Sequence, residues 1–346
     1  MKIVLYVSAL LFIGSCATLS HKEKQGLRDN IDIYKPSILK KYAKTITANE
    51  LKEHLYIFSS DAYQGRQVGT SGQKEAVEYL KNNYIKEGIE SPYKDSTYYQ
   101  RIPKSYFLNN YNDTENVLSF IKGSEKPDEV IIISAHHDHK GVNDKGEIYN
   151  GADDDGSGTV AILEIAQAFK EAQKNGFGPK RSILFLHLTA EEIGLQGSRY
   201  YTENPIFPLN KTVANLNIDM IGRVDKSHQD NPNYVYLIGA DRLSTELHYI
   251  SESINNTFYN FELNYKYNDE NDPNRYYYRS DHYNFAKNNI PVIFYFNGVH
   301  EDYHQPTDTA DKINYSILEK RTRLIFTTAW QLANQKNRIV IDKATE

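Results

Sequence analysis

One cysteine, Cys16, occurs in the 346 residues, which excludes an intrachain disulfide and any site built from several cysteines. Tryptophan is as scarce: Trp330 stands alone, so no ligand pocket can be walled by several indoles. Long apolar runs are missing too. The most apolar stretch, Ile3 to Ile13, falls short of the roughly 20 residues a helix needs to span a bilayer. Positive charge is not in excess: the formal net charge is −5, whereas gripping a phosphate backbone takes a concentrated basic face, which excludes nucleic acid as the main partner. Against these absences stands ordinary globular composition, 40% hydrophobic and 25% charged, with length enough for a sizeable core. Tyrosine is the one surplus, 28 residues crowded around Tyr276-Tyr277-Tyr278. Such amphipathic rings suit a binding surface, and most of the others read as drift from Phe to Tyr.

Lys2, the apolar run and Gly14-Ser15-Cys16 make the charged start, hydrophobic middle and small-residue end of an export signal. The cysteine sits where cleavage is expected. In this the segment resembles the lipobox of bacterial lipoproteins, whose cysteine is acylated and becomes the mature N-terminus. The expectations are a lipoprotein signal peptide over residues 1–16, a polar tether over 17–46 and one globular domain over 47–346. The chain is then exported and lipid-anchored to a bacterial membrane, on its periplasmic face or at the cell surface.

Thr47-Ala48-Asn49-Glu50 has the form of a capping box, in which hydroxyl and carboxylate satisfy the free N–H groups of a helix start. Leu51, Leu55 and Phe58 follow at helical spacing, and Ala76, Leu80 and Tyr84 repeat it after a Gly-bearing loop. From Glu129 the pattern changes to apolar runs of strand length: Val130 to Ile133, Ser182 to Leu186, Val213 to Ile218, Tyr234 to Ile238 and Pro291 to Phe296. Helical stretches lie between them, the clearest with Ile162, Ile165, Ala166 and Phe169 on one face. A last helix is expected from about Ser316 to Gln335. Strands apolar on both faces and interleaved with helices predict an α/β fold, a three-layer αβα sandwich with a mixed, mostly parallel central sheet.

Ligands of such sheets bind beyond the carboxyl ends of the strands, and polar clusters follow the runs there. His136-His137-Asp138-His139 follows the first, Glu191-Glu192 the second, Asp219 the third, and His300 to His304 the last. His136 and Asp138, two apart on extended backbone, point to one side. Taken alone, the pair reads either as a satisfied surface histidine or as a candidate zinc ligand, His136, with Asp138 a candidate orienter. Asp153-Asp154-Asp155, before a helix, reads either as a solvated cap or as carboxylates gathered for a cation, since three in a row repel one another unless neutralised. Glu191-Glu192 as an isolated pair reads as surface charge, but at a sheet's carboxyl edge the two can divide labour, one on a metal and one moving protons. His137 and His139 read as a satisfied neighbour and a rim residue, and His187, inside an apolar strand, as a core histidine.

Five stretches in a fixed order carry a family likeness: Ser134 to His139, Gly151 to Gly158, Thr189 to Gly194, Asn217 to Met220 and Tyr303 to Thr309. Over roughly residues 48 to 335 the chain resembles the di-zinc metallopeptidases that include bacterial leucyl aminopeptidases and the glutamate carboxypeptidase ectodomain. The resemblance implies the zinc-exopeptidase sandwich, two Zn2+ per chain, and hydrolysis of a peptide substrate, most often as an aminopeptidase. Carried over by position, it makes Asp154 the carboxylate bridging both zincs. His136 and Asp219 complete one metal, and Glu192 and His304 the other. Glu191 is then the general base, Asp138 orients His136, and Tyr303 steadies the oxyanion. Asp308 is left as support for His304 or as a turn cap, and Asp281 as a relay anchor or a helix N-cap. Two alternatives share the fold: a glutaminyl-peptide cyclotransferase, in which Trp stands at the position of Tyr303, and a non-catalytic binding ectodomain, which lacks a ligand or the base. Tyr303, Trp330 in the last helix and the intact residue set speak against both.

Overall fold

The computed structural model describes residues 20–343, and the expected signal sequence with Cys16 lies outside the described residues. The strands among them are β1 (Tyr99–Ile102), β2 (Thr114–Ile121), β3 (Lys126–His136), β4 (Gly141–Val142), β5 (Ile148–Tyr149), β6 (Arg181–Leu188), β7 (Thr212–Ile218), β8 (Tyr234–Ile238), β9 (Glu262–Asn264) and β10 (Val292–Phe296). The α-helices are α1 (His21–Asp29), α2 (Pro36–Ala43), α3 (Ala48–Phe58), α4 (Ser71–Glu87), α5 (Gly158–Lys174), α6 (Gln196–Glu203), α7 (Thr245–Phe258), α8 (His282–Ala286) and α9 (Tyr315–Asn334). Eight strands build one sheet in the order β1-β2-β6-β3-β7-β10-β8-β9, and β4 pairs with β5 in a separate hairpin. At the centre β6, β3, β7 and β10 run parallel. β2 is antiparallel to both its neighbours and β8 is antiparallel to β10, while β9 runs parallel to β8. This is the mixed, mostly parallel sheet expected, and the five apolar runs are β3, β6, β7, β8 and β10.

Alternation along β3 sends Ile131 and Ile133 to one face and Val130 and Ile132 to the other. The first pair joins a core with Ile162, Ile165 and Phe169 of α5, Leu324 and Trp330 of α9, and the apolar stripes of α3 and α4. The second pair packs with Leu184 and Leu186 of β6, Tyr201 of α6 and Phe285 of α8. Helices on both faces make the three layers. At the start of α3 the Thr47 hydroxyl accepts from the Glu50 N–H (3.2 Å), as expected. The Glu50 carboxylate meets that same hydroxyl at 2.6 Å rather than the Thr47 backbone, so only half of the box forms.

The stretch expected to be a tether is packed against the domain in its later part. Leu39, Tyr42, Ala43 and Ile46 are buried, Tyr42 stacks on Trp330 with ring centres 6.1 Å apart, and Trp330 Nε1–H donates to the Tyr34 carbonyl at 3.2 Å. Burying each large apolar side chain stabilises by about 1.5–3 kcal/mol, and Pro36 opens α2 without leaving an N–H unsatisfied. Lys40, Lys41 and Lys44, interleaved with this apolar stripe, give the segment its polar look in the sequence. Ile31 and Ile33 also pack on this core and Gln331 Nε2 donates to the Asp32 carbonyl at 3.0 Å, so packing against the domain begins ahead of residue 47 and already includes the segment before Tyr34.

In-register pairing aligns the ends of the central strands. Ile133 stands opposite Phe185 of β6 and Leu216 of β7, and Tyr295 of β10 opposite Ile218. The segments that leave β3, β6, β7 and β10 at their carboxyl ends consequently meet in one place.

Candidate metal centre

His136 closes β3, Glu191 and Glu192 follow β6, Asp219 follows β7, and His304 lies in the loop after β10, while Asp154 enters from the turn before α5. The structure brings all of them together. His136 Nε2 is 3.2 Å from Asp154 Oδ1 and 3.7 Å from Asp219 Oδ1. His304 Nε2 is 3.1 Å from Asp154 Oδ2 and 3.3 Å from Glu192 Oε2. The two oxygens of Asp154 thus face different imidazoles. Ligands at about 2.0–2.2 Å around a tetrahedral zinc stand about 3.3–3.6 Å from one another, close to the spacings found. His136 Nε2, Asp154 Oδ2 and Glu192 Oε1 are buried and have no hydrogen-bond partner, although buried polar atoms are nearly always satisfied. Burial opposes charge on His304, yet Asp154 and Glu192 outweigh it and draw that imidazole up to about 9. The cluster calls for positive charge, which bound dications supply directly. The residues present fit two zinc positions that share Asp154.

The surrounding hydrogen bonds fix these side chains and sort them from their neighbours. Asp219 Oδ2 accepts from the Ser280 hydroxyl (2.6 Å), itself bonded by Asn217 Nδ2 (2.9 Å), and this leaves Oδ1 towards His136. His136 Nδ1 is 3.0 Å from the backbone carbonyl of Asp138, whereas the Asp138 carboxylate is 3.8 Å away. That carboxylate accepts from the N–H groups of Glu191 (3.1 Å) and Glu192 (3.4 Å). Asp138 therefore orients His136 through its main chain and sets the Glu191-Glu192 turn through its side chain. Asp155 also stands within ligand range of His136 and Asp219. Its oxygens, however, accept from the backbone N–H groups of His136 (3.2 Å), Gly158 (3.0 Å) and Met220 (3.1 Å), which makes it an anchor for the loops. Asp308 caps the turn: its oxygens take the N–H groups of Asp153 and Asp154 at 3.0–3.1 Å. Asp281 precedes α8 but makes no capping hydrogen bond, so the N-cap reading fails. Burial drives its carboxyl up to about 7.

Glu191 Oε2 lies 3.9 Å from His136 Nε2, and burial lifts its carboxyl well above the usual range. The Tyr303 ring stacks on His304 with centres 3.8 Å apart. Burial and the carboxylates of Asp154, Asp219, Glu191 and Glu192 hold the Tyr303 phenol protonated, hence a donor. An apolar wall of Met220, Tyr276, Phe294 and Phe296 stands beside the cluster, with Arg279 also lining the recess.

His137 is a satisfied neighbour, its Nε2 3.0 Å from the Glu115 carbonyl, and burial pushes it down to about 3. His187 is a core histidine, 2.6 Å from the Tyr84 hydroxyl. His139 is not the rim residue its place in the sequence suggests: it is buried, and its Nδ1 is 2.7 Å from Glu192 Oε1. Arg66 was not singled out by any motif. It is fully buried and donates to the carbonyls of His137 (2.9 Å), Phe58 (3.0 Å), Asn150 (2.7 Å) and Gly151 (2.9 Å). One guanidinium thereby ties the loop after β3 to the turn that carries Asp154. Burial lowers its pKa to about 10, which leaves it charged at neutral pH. Lying in a Gly-bearing loop, it looks from the sequence like an ordinary surface charge.

A family model described as peptidase family M28 matches residues 116–329. The probable glutamate carboxypeptidase LAMP1 of Arabidopsis thaliana is 39% identical over 106 residues, 30% of this chain and 14% of that protein. Aminopeptidase NAALADL1 of Mus musculus is 38% identical over 109 residues, 31% of this chain and again 14% of the relative. The chain thus matches only a small part of each of these curated relatives. Among solved structures, BSAP, a zinc aminopeptidase from Bacillus subtilis, shares the fold with a TM-score of 0.63 at 15% identity, covering 86% of this chain and 99% of that one.

Proposed function

Because the chain belongs to peptidase family M28, we propose that it is a di-zinc metallopeptidase that releases N-terminal residues from peptides, an aminopeptidase. The observation that carries this reading is the division of Asp154 between His136 at 3.2 Å and His304 at 3.1 Å. His136, Asp154 and Asp219 would hold one ion, and Asp154, Glu192 and His304 the other. When bound, the pair supplies Lewis acidity, polarising a carbonyl and lowering the pKa of water from about 15.7 towards about 7. Glu191 Oε2 takes the proton of the attacking water as the new C–O bond forms, then delivers it to the departing amine nitrogen. A carboxyl raised by burial is suited to that exchange near neutral pH. The Tyr303 hydroxyl donates to the oxygen that gains charge as the carbonyl is attacked. The aromatic wall takes the side chain of the first residue and keeps water away from it.

An aminopeptidase must also accept a free ammonium group, and the carboxylates of Asp154, Glu191 and Asp219 in the recess favour one. Arg279 in the same recess supports a second reading, carboxypeptidase action on a substrate carboxylate. A panel of free, N-acetylated and C-amidated peptides separates the two. Free peptides beginning with Leu or Phe are expected to be cleaved, N-acetylation to slow cleavage at least about a hundredfold, and C-amidation to change little. Each hundredfold corresponds to about 2.7 kcal/mol of transition-state stabilisation. Cleavage should stop with chelator and return with zinc. The opposite blocking pattern would establish the carboxypeptidase. The wall of phenylalanine and tyrosine gives no support to the cyclotransferase, since Trp330 is buried against Tyr42 and Phe169.

From the N-terminal sequence pattern alone, Lys2, the apolar run Ile3 to Ile13 and Gly14-Ser15-Cys16, we further propose that the protein is exported and acylated at Cys16. Among the described residues no helix is long and apolar enough to cross a membrane. Labelled palmitate is expected to enter the wild-type chain and not the Cys16→Ser variant; equal labelling of both would refute the anchor.

A further inference from the structure

We infer that His139 is an additional protein ligand at the second metal position, making that position the tighter of the two. The inference rests on the di-zinc reading above. His139 Nδ1 lies 2.7 Å from Glu192 Oε1 and 3.8 Å from Asp154 Oδ2, and its side chain is 0% exposed. A nitrogen and a carboxylate oxygen this close normally share a hydrogen bond, yet neither ring nitrogen of His139, nor Glu192 Oε1, nor Asp154 Oδ2 has a partner of acceptable geometry. Donor atoms of His139, Asp154 and Glu192 all lie within 4.8 Å of one another. Atoms that stand together without pointing at one another suit a common point between them, and a cation occupies such a point.

The ring is seated for that task. A Cβ on residue 151 would stand 2.6 Å from its Cγ and Cδ2, so Gly151 makes the room. The His139 N–H donates to the Arg66 carbonyl at 3.3 Å. Lys140 Nζ, 3.1 Å from Glu192 Oε2, steadies the same carboxylate from its outer side. His304 faces the shared Asp154 oxygen from the other flank, with its ring centre 5.9 Å from that of His139. Two imidazoles and two carboxylates therefore surround the second position. The first has one imidazole and two carboxylates, because Asp155 is held by backbone N–H groups. Imidazole nitrogen is a preferred zinc donor. The second position accordingly holds its ion more firmly and fills first.

Chelator-stripped full-length protein, titrated with zinc against a chromophoric competitor, tests this without reference to activity. The wild type is expected to bind two equivalents with dissociation constants at least about tenfold apart. His139→Asn should weaken the tighter constant by about a hundredfold or more, beyond the 10–100-fold typical of losing a mere supporting contact, and move the weaker one little. Equal constants in the wild type, or an unchanged tight constant in the variant, overturn the inference. A wild type that binds fewer than two equivalents overturns the di-zinc reading instead. Should the variant fail to fold, zinc-edge X-ray absorption of the wild type at one equivalent decides: two imidazole ligands are expected, and one refutes the role of His139.

Discussion

Asp154→Ala is expected to empty the first metal position, to weaken the second and to take peptide hydrolysis below detection. Its two oxygens face imidazoles of the two different positions, Oδ1 to His136 at 3.2 Å and Oδ2 to His304 at 3.1 Å. Removing it leaves the first position with His136 and Asp219 alone, strips one carboxylate from the second, and removes the shared negative charge that lets two dications approach. Asp219→Ala is the control, because it touches the first position alone. Elemental analysis after dialysis against chelator should find less than one zinc per chain in the Asp154 variant, whose second position has lost a carboxylate, and about one in the Asp219 variant, whose second position is intact. The fold should survive in both, since neither side chain belongs to the apolar cores that pack the helices on the sheet. Two zincs retained by Asp154→Ala would rule out the bridging arrangement.

Glu191→Gln is expected to keep the fold and both zincs while lowering kcat by about 10²–10⁴. The amide fills the same space but cannot take a proton, so KM should move far less than kcat. Glu192→Gln should behave differently although it is the next residue. Glu192 Oε2 lies 3.3 Å from His304 and its Oε1 2.7 Å from His139, so the loss there is of metal, and activity should recover partly with added zinc. Rates measured at saturating zinc, beside zinc content, separate the two outcomes. Near-normal turnover in Glu191→Gln would remove that residue from proton transfer.

The sheet was legible because strands buried on both faces must be apolar throughout, and Val130 to Ile133 shows that without ambiguity. The cluster was legible because polar residues directly after such runs have to emerge at one edge of the sheet. Other features depend on tertiary contacts that no local pattern carries. The Lys-flanked apolar residues Leu39, Tyr42, Ala43 and Ile46 look like tether until Trp330 is seen beneath Tyr42. Asp138 was expected to orient His136 by its carboxylate, yet a backbone carbonyl two residues along can reach the ring first. Nothing in the local sequence marks His139 as buried, since the room for its ring depends on the missing Cβ of Gly151, twelve residues on. Arg66 lies far in sequence from the carbonyls it binds, so no spacing rule could connect them.

Peptide hydrolysis at this site requires two cations to share Asp154 at the carboxyl edge of the sheet. Anomalous diffraction at the zinc edge from crystals grown with zinc addresses it directly. Two peaks about 3.5–4 Å apart, one on either side of the Asp154 carboxylate, are the expected result. A single peak, or two that have no ligand in common, would contradict it.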